Sequence, residues 1–186
     1  ELAGLRSALP EHACARLGAL LAVGVAVPVP GVDLIGAPEE LQRARERLRG
    51  AGAVAATEEE YEAARIAAGV PRFGTDFTPE NFPAEAGLLE RAVSFEKGCY
   101  PGQETVARMR YRGHPNRTLR RLLVASGTPP APPAEILQGD RRAGTLTSVS
   151  PLPSEEGVVF ALGYLRRGAD PEGPLSAGGA ILRVAG

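Results

Sequence analysis

The sequence is poor in the residue types that disulfide frameworks and metal sites require. It contains no Trp, one Met, two Cys and two His among 186 residues, and aromatic residues make up only 5%. Two cysteines are too few for a disulfide scaffold, and two histidines without a Cys-x-x-Cys pair provide no ligand set for structural zinc. We therefore expect a reduced protein with no metal, whose core is built mainly from Ala, Leu and Val.

Long apolar runs are also missing. The longest uncharged stretch covers residues 17–32 and is broken by several Gly and Pro residues, whereas a membrane-spanning helix needs about 20 apolar residues. No signal-peptide pattern is visible. The sequence thus predicts a cytoplasmic protein with no membrane partner. Because the chain begins with Glu1 and its single Met is Met109, we also expect a fragment or a processed product.

Charge is distributed unevenly along the chain. Residues 1–104 carry 10 basic and 16 acidic side chains, whereas residues 105–186 carry 11 basic and 6 acidic ones. The hydrophobic content of 44% is that of a globular protein and excludes a disordered or collagen-like chain. This charge asymmetry, with a change in sequence character near residue 116, predicts two domains, one over residues 1–115 and one over residues 116–186.

The first domain has the pattern of alternating helices and short strands. Its apolar spacing predicts helices over residues 11–21, 39–49 and 58–68 and strands over residues 23–29, 32–35 and 53–55. Thr57 and Glu60 form a capping-box pattern at the start of the third helix. A loop over residues 69–85, rich in Pro and Gly, holds Phe73, Phe77 and Phe82. These rings either anchor the loop to the core or line a slot for a flat ligand.

The last third of the chain is typical of a small all-β unit. Short apolar runs are separated by turns of Gly, Pro and Ser. They predict strands over residues 119–124, 135–137, 144–149, 158–165 and 180–184. Several short strands at this spacing favour a small barrel or a sandwich.

The stretch Lys97-Gly-Cys-Tyr-Pro-Gly-Gln-Glu104 opens a predicted helix that ends near Gly113. Pro101 fits the first helical turn, and Glu104 adds negative charge where the helix dipole favours it. Cys99 then lies just before a helix N-terminus and close to Lys97, and both features lower the pKa of a thiol. Two interpretations are open: a reactive or ligand-facing thiolate, or a small buried hydrophobic residue.

The second cysteine, Cys14, falls on the apolar face of the first predicted helix. For this thiol we expect only the structural role of a small buried side chain.

Basic residues crowd the stretch from Thr105 to Arg121, which contains no acidic residue. Its members are Arg108, Arg110, Arg112, His114, Arg117, Arg120 and Arg121. At helical spacing Arg108 and Arg112 repel each other, so the cluster favours an anionic partner such as a carboxylate-rich ligand or RNA phosphate. A solvated surface is the alternative interpretation.

The pattern Lys97-Gly-Cys-Tyr-x-Gly-Gln-Glu104, followed by Ala107-Arg108 and Tyr111-Arg112-Gly113, resembles the signature of the YgfZ-type folate-binding proteins. These proteins are relatives of the glycine-cleavage aminomethyltransferase, or T-protein. The match covers unusual residue types over 17 positions. The likeness continues upstream through residues 65–71 and 82–88 and more weakly downstream through residues 144–148 and 161–165. The resemblance implies an α+β fold: a partial T-protein-like folate-binding domain over residues 1–115, incomplete at its N-terminus, followed by a small C-terminal β-barrel over residues 116–186.

The resemblance also implies tetrahydrofolate or a derivative as the cofactor. It implies an accessory role for iron–sulfur enzymes and for tRNA modification that depends on them, with an iron–sulfur client protein as a partner. The residues carried over as folate-binding are Lys97, Gly98, Cys99, Tyr100, Gly102, Gln103, Glu104, Arg108 and Arg110. Cys99 is also the candidate catalytic residue, and Glu85 is a candidate substitute carboxylate.

Two departures argue against aminomethyl transfer. T-proteins place a glutamate that pairs with the pteridine ring where this chain has Ala67, and they lack a cysteine at the position of Cys99. A tetrahydrofolate-dependent aminomethyltransferase is nevertheless the enzyme alternative. A third hypothesis is an RNA- or protein-binding module that uses the cluster from Arg108 to Arg121.

Overall fold

The computed structural model of the protein describes residues 9–111 and 113–185. Within these ranges the chain forms four helices, a three-stranded antiparallel sheet and a closed six-stranded barrel. The helices are α1 (Pro38–Gly50), α2 (Glu58–Ala67), α3 (Leu89–Ala92) and α4 (Gln103–Tyr111). The strands are β1 (Cys14–Leu17), β2 (Leu20–Val25), β3 (Gly31–Ile35), β4 (Arg117–Ser126), β5 (Ala134–Gln138), β6 (Arg141–Val149), β7 (Phe160–Arg166), β8 (Leu175–Ala177) and β9 (Ala180–Val184). The predicted α+β class with a C-terminal barrel is confirmed.

The first two strands form a hairpin where the sequence predicts a helix over residues 11–21, so that prediction is wrong. β1 and β2 pair antiparallel, and Gly18 turns the chain between them with a φ of 63°. Buried positions alternate along β2, which places Leu20 and Ala22 in the core. The helix prediction rested on the spacing of apolar residues, whereas a left-handed glycine favours a two-residue hairpin turn. Cys14 is exposed on β1, so its predicted burial is wrong as well.

The third strand, β3, pairs with β2 and confirms the strand predicted over residues 32–35. The strand predicted over residues 23–29 stops at Val25. Pro28 lies beyond its end, and proline lacks the N–H group that a strand ladder needs. Residues 53–55 form no strand and are exposed to solvent, so that prediction is wrong because the short run has no neighbouring strand to pair with.

Helices α1 and α2 lie where the sequence predicts helices over residues 39–49 and 58–68. The capping box at the start of α2 is present: the Glu60 N–H donates to the Thr57 hydroxyl over 3.1 Å, and the Thr57 N–H donates to the Glu60 carboxylate over 2.6 Å. The hydrogen bond from the Thr57 backbone lowers the pKa of Glu60. On the inner face of α2, Arg65 and Ile66 are buried.

The barrel closes in the order β4-β7-β6-β5-β8-β9, with β9 pairing back onto β4. All five predicted strands are confirmed. The structure adds β8, whose three residues are too few to give a recognisable strand pattern in the sequence. The centre of the barrel is fully buried and consists mainly of Leu122, Ile136, Leu146, Leu175 and Leu182. Gly144 lets β6 approach β7, since a Cβ at this position would collide with the Tyr164 carbonyl. The barrel begins at Arg117, and the domain boundary near residue 116 stays a prediction.

Among the helices of residues 9–111 and 113–185, none combines the length and the apolar character that crossing a membrane requires.

Candidate functional site

The signature segment is exposed on the surface. Helix α4 contains no buried residue, which is unusual because most helices in proteins are stabilised by burying one face. The helix begins at Gln103 rather than at Pro101, because Gly102 adopts a left-handed φ of 84° and forms a turn with Pro101. Cys99 therefore lies four residues before the first helical residue, farther from the helix N-terminus than the sequence predicts.

The loop that carries Cys99 presents a thiol, an ammonium group and an aromatic ring. Cys99 is an exposed free thiol, so the interpretation of a small buried hydrophobic residue is wrong. The Lys97 ammonium lies 4.9 Å from the centroid of the Tyr100 ring. The Tyr100 hydroxyl is buried and, among the described residues, has no hydrogen-bond partner. A ligand-facing role for Cys99 fits this exposure and stays a prediction.

Neither glycine of the loop is confined by neighbouring atoms, since a Cβ on Gly98 or on Gly102 would meet nothing within 4 Å. The φ of Gly98 lies outside the left-handed region. Gly98 is therefore not required by the packing of the described residues. Gly102 differs, since its positive φ suits glycine alone.

The arginines of the predicted cluster have separate partners in the structure. Arg108 pairs with Glu104 over 2.7 Å one helical turn away. Arg110 packs 4.0 Å above the Phe95 ring and lies 3.7 Å from Glu90. These acidic partners come from outside the stretch of residues 105–121, so the sequence of that stretch could not indicate them. Arg112 lies outside the described residues.

Three further arginines of the cluster, Arg117, Arg120 and Arg121, belong to strand β4. Arg121 donates to the carbonyl of Ala67 over 2.8 Å and lies 5.5 Å from the Phe160 ring. Arg120 is exposed and lines a groove of about 480 Å³ together with His114, Arg166 and Arg167. Half of this groove thus comes from β7 and the turn after it, which lie far from Arg120 in the sequence.

Glu85, the candidate substitute carboxylate, is 8% exposed and already has partners. Its carboxylate accepts from the Arg117 guanidinium, with a shortest distance of 3.1 Å, and from the Phe82 N–H over 3.3 Å. The Leu119 N–H donates to its carbonyl over 2.7 Å. Glu85 therefore ties the loop of residues 69–85 to the first barrel strand.

Beside this pair lies Tyr164, whose hydroxyl is buried and has no hydrogen-bond partner among the described residues. Arg117 lies 5.0 Å from the centroid of its ring. Burial raises the pKa of Tyr164 to about 12, the nearby Arg117 charge opposes this rise, and the charges of Glu85 and Asp76 add to it.

A buried polar network joins α2 to the barrel, and sequence reasoning missed it. Arg65 donates to Asp76 over 2.7 Å, and their side chains are 3% and 0% exposed. The other oxygen of Asp76 accepts from the hydroxyls of Thr147 and Ser148 over 2.6 and 2.7 Å. The pKa of Arg65 is raised: burial lowers it, but the hydrogen bonds to Glu62 and the charge of Asp76 outweigh burial. The signal in the sequence was a charged residue next to Ile66 on the buried face of a helix.

Two of the three aromatic residues in the loop of residues 69–85 are exposed. Phe73 is 64% exposed and Phe82 is 43% exposed, so the anchoring interpretation is wrong for these two rings. Phe77 is half-buried and packs edge-on against Phe73 with centroids 5.5 Å apart. The fully buried side chain between them is Asp76. Phe82 and Glu85 line an open groove of about 530 Å³, and an aromatic slot for a flat ligand stays a prediction.

Within the described ranges, no three His, Cys, Asp or Glu side chains come together in a way that could hold a metal ion.

Comparison with known proteins identifies relatives of similar sequence and a solved structure of similar fold. The chain is 33% identical over 174 residues to the tRNA-modifying protein YgfZ of Sodalis glossinidius, which covers 88% of this chain and 51% of that protein. It is 40% identical over 86 residues to the tRNA-modifying protein YgfZ of Vibrio vulnificus, covering 45% of this chain and 25% of that protein. No family model matches the chain.

Among solved structures, the glycine cleavage system aminomethyltransferase T from Bartonella henselae has a similar fold. The TM-score is 0.74 with 21% sequence identity, and the match covers 91% of this chain and 49% of that chain. The chain thus spans about half the length of the curated relative from Sodalis and of this structure. The resemblance to YgfZ-type proteins, on a T-protein-like fold, is therefore confirmed over the part of those proteins that the chain spans.

Proposed function

We propose that the chain is the tetrahydrofolate-binding part of a YgfZ-type accessory protein that supports iron–sulfur enzymes and the tRNA modification that depends on them. The single observation that carries the proposal is the exposed signature segment. Residues 97–111 hold the residue types of the signature, yet α4 buries none of them. Side chains that the core does not use are available to a ligand. The part of the chain before residue 116 supplies this site, and the barrel supports it.

Arg108 is the best-placed cation for the glutamate tail of a folate. Its pair with Glu104 is solvent-exposed, with side chains 69% and 86% accessible, and exposed ion pairs contribute little to stability. A ligand carboxylate can therefore replace Glu104 at small cost and gain a charge-assisted hydrogen bond. Arg110 is held on Phe95 and so offers a second cation in a fixed position.

The loop before α4 contacts the ligand through Lys97, Tyr100 and Gln103 in this proposal. Gly98 leaves open space where a side chain would stand, which suits close approach of a ligand. Cys99 presents its thiol from the same turn as a close contact or reactive group. Glu85 contacts the ligand only when donors of the ligand replace the Arg117 guanidinium, because its carboxylate is already paired with that group.

Aminomethyl transfer is not part of the proposal. The position at which T-proteins read the pteridine ring with glutamate is Ala67, whose carbonyl instead accepts from Arg121 over 2.8 Å. Alanine has no carboxylate to pair with the donors of the ring. The likeness to the Bartonella aminomethyltransferase is at 21% identity and concerns the fold.

Isothermal calorimetry with tetrahydrofolate tests the proposal on the intact protein and on Cys99→Ala and Arg108→Ala. The matched controls are Cys14→Ala, the other exposed thiol, and Arg43→Ala, an exposed arginine paired with Glu40 on α1. We expect one-to-one binding that Arg108→Ala weakens about tenfold, since a hydrogen bond to a charged group contributes about 1.5–3 kcal/mol. Absence of saturable binding, or equal loss in the controls, would contradict the proposal.

A further inference from the structure

The groove beside the first barrel strand is strongly basic. It has a volume of about 480 Å³ and is lined by His114, Thr118, Arg120, Arg166, Arg167 and Pro171, among others. Arg120, Arg166 and Arg167 are exposed, and none of the ion pairs of the described residues involves any of them. Asp170 follows in sequence but accepts the N–H of Glu172 with its carboxylate. The groove therefore carries uncompensated positive charge.

The strand register concentrates this charge rather than dispersing it. Arg117 of β4 lies directly opposite Arg166 of β7, and like charges facing each other across strands are destabilising. Glu85 compensates Arg117, whereas no acidic side chain of the described ranges compensates Arg166 in the same way. Because Arg117 and Arg166 repel each other beside Arg120 and Arg167, a bound anion would stabilise this surface of the barrel.

The frame that holds these arginines is rigid. The β4–β7 ladder runs from Arg117 to Leu123 on one strand, and the Arg167 N–H extends it by donating to the Asn116 carbonyl over 2.9 Å. A turn closed by the Ala169 N–H and the Arg166 carbonyl, also at 2.9 Å, follows directly. The backbone that carries these arginines is already ordered, so binding of an anion has to order only their side chains.

We propose that this groove binds a nucleic-acid strand through its phosphates. Guanidinium groups match phosphate oxygens with two parallel hydrogen bonds, and three arginines on one frame provide sites for successive phosphates. No Phe, Tyr or Trp is among the lining residues, and His114 is the one ring that the groove offers to a base, so stacking contributes little beside the phosphate contacts. Binding is therefore directed to the backbone and is indifferent to base sequence.

An acidic protein fits the groove less well. Binding hot spots of protein interfaces are mostly Trp, Tyr and Arg in well-packed pockets, and this groove offers arginines but no Trp, Tyr or Phe among its lining residues. The lining of the groove also includes none of the residues proposed for folate binding. This inference does not rest on the proposed folate site and extends beyond it.

Fluorescence anisotropy tests the inference on the intact protein. The probes are labelled single-stranded RNA and DNA of more than about 16 nucleotides, the upper end of the roughly 4–16 nucleotides that one OB-fold barrel covers. The test variant is Arg120→Ala/Arg166→Ala/Arg167→Ala. The control is Arg45→Ala/Arg47→Ala/Arg49→Ala, which removes the same charge from exposed positions on α1. We expect both nucleic acids to bind, with affinity falling between about 50 and 200 mM salt. The groove variant should bind at least tenfold more weakly, with a salt slope shallower by about 0.7 for each phosphate that the removed arginines neutralise.

Four outcomes would overturn the inference. They are no binding at low salt, equal loss in the α1 control, displacement of the strand by micromolar pyrophosphate, and tighter binding of a polyglutamate peptide than of RNA. The first two would leave no specific site, the third would assign the groove to a small phosphorylated ligand, and the fourth to an acidic protein. Tetrahydrofolate titration of Arg120→Ala alone separates this result from the folate proposal: folate binding should be unchanged, since Arg120 lines the basic groove but not the groove that contains Glu85.

Discussion

The guanidinium of Arg65 and the carboxylate of Asp76 form an ion pair of 2.7 Å that is sealed from solvent, although the two residues lie on a helix and on a loop. Asp76 accepts from Thr147 and Ser148 of β6 on its other oxygen. A buried charge is tolerated when it is paired and its remaining hydrogen-bonding sites are filled. This pair therefore fixes the packing of α2 and of the loop that carries Asp76 against the barrel.

Replacing Asp76 should destabilise the protein strongly. Asp76→Ala leaves the Arg65 charge buried with Glu62 alone and removes the acceptor of two barrel hydroxyls, for which we expect a loss of about 3–5 kcal/mol in the free energy of unfolding. The control is Glu58→Ala, which removes an exposed carboxylate paired with Arg72 over 2.7 Å and should cost under about 1 kcal/mol. Urea denaturation measures both. Equal stability of the two variants would refute the structural role of the pair.

The sequence predicted those parts of the fold that depend on local signals. Thr57 and Glu60 identified the start of α2, because a capping box is made within four residues. The barrel strands followed from apolar runs bounded by turns. The hairpin of residues 14–25 was missed because its apolar spacing also fits a helix. The left-handed conformation of Gly18, which distinguishes a hairpin from a helix here, is not visible in that spacing.

The candidate site was predictable in its position but not in its contacts. The residue types from Lys97 to Glu104 indicated a ligand-binding segment, and the structure places them on the surface. The pairing of Glu85 with Arg117 joins residues 32 apart, and Arg166 and Arg167 reach Arg120 only because β7 pairs with β4. Charge counted along the sequence cannot show such neutralisation or such convergence.

Removing the hydroxyl of Tyr164 should stabilise the protein. The group is buried and has no partner among the described residues, and an unsatisfied buried hydroxyl costs about 1–3 kcal/mol. We expect Tyr164→Phe to raise the free energy of unfolding by about 1 kcal/mol, since the ring and its contact with Arg117 are kept. Tyr61→Phe, at a position 48% exposed, should leave stability unchanged. A loss of stability in Tyr164→Phe would reveal a hydrogen bond to water or to a ligand.

The same residue predicts how stability depends on alkaline pH. The pKa of Tyr164 is raised from 10.0 to about 12 in the folded protein, so the phenol holds its proton in the folded state after the unfolded state has lost it. Ionisation of Tyr164 therefore leaves the free energy of unfolding unchanged below pH 10 and lowers it as the pH rises towards 12. Ultraviolet titration should show one phenol ionising near pH 12 that is absent from Tyr164→Phe and present in Tyr61→Phe. Its presence in all three proteins would contradict this assignment.

The two glycines of the signature loop should respond in opposite ways to substitution by alanine. Gly102 has a φ of 84°, and a left-handed conformation costs an alanine about 1–2 kcal/mol, so Gly102→Ala should lower the free energy of unfolding by about that amount. Gly98 has no such φ, and a Cβ there would meet no atom within 4 Å. Gly98→Ala should therefore keep full stability, and urea denaturation of the two variants measures the difference.

If a folate lies against this loop, Gly98→Ala should nevertheless weaken tetrahydrofolate binding, because the new methyl group occupies space that the ligand needs. Calorimetry and urea denaturation on the same two samples separate the effects: weaker affinity at unchanged stability assigns Gly98 to direct contact with the ligand. Unchanged affinity in Gly98→Ala would place the ligand elsewhere, since a methyl group added where the loop packs closely against a ligand must alter the affinity.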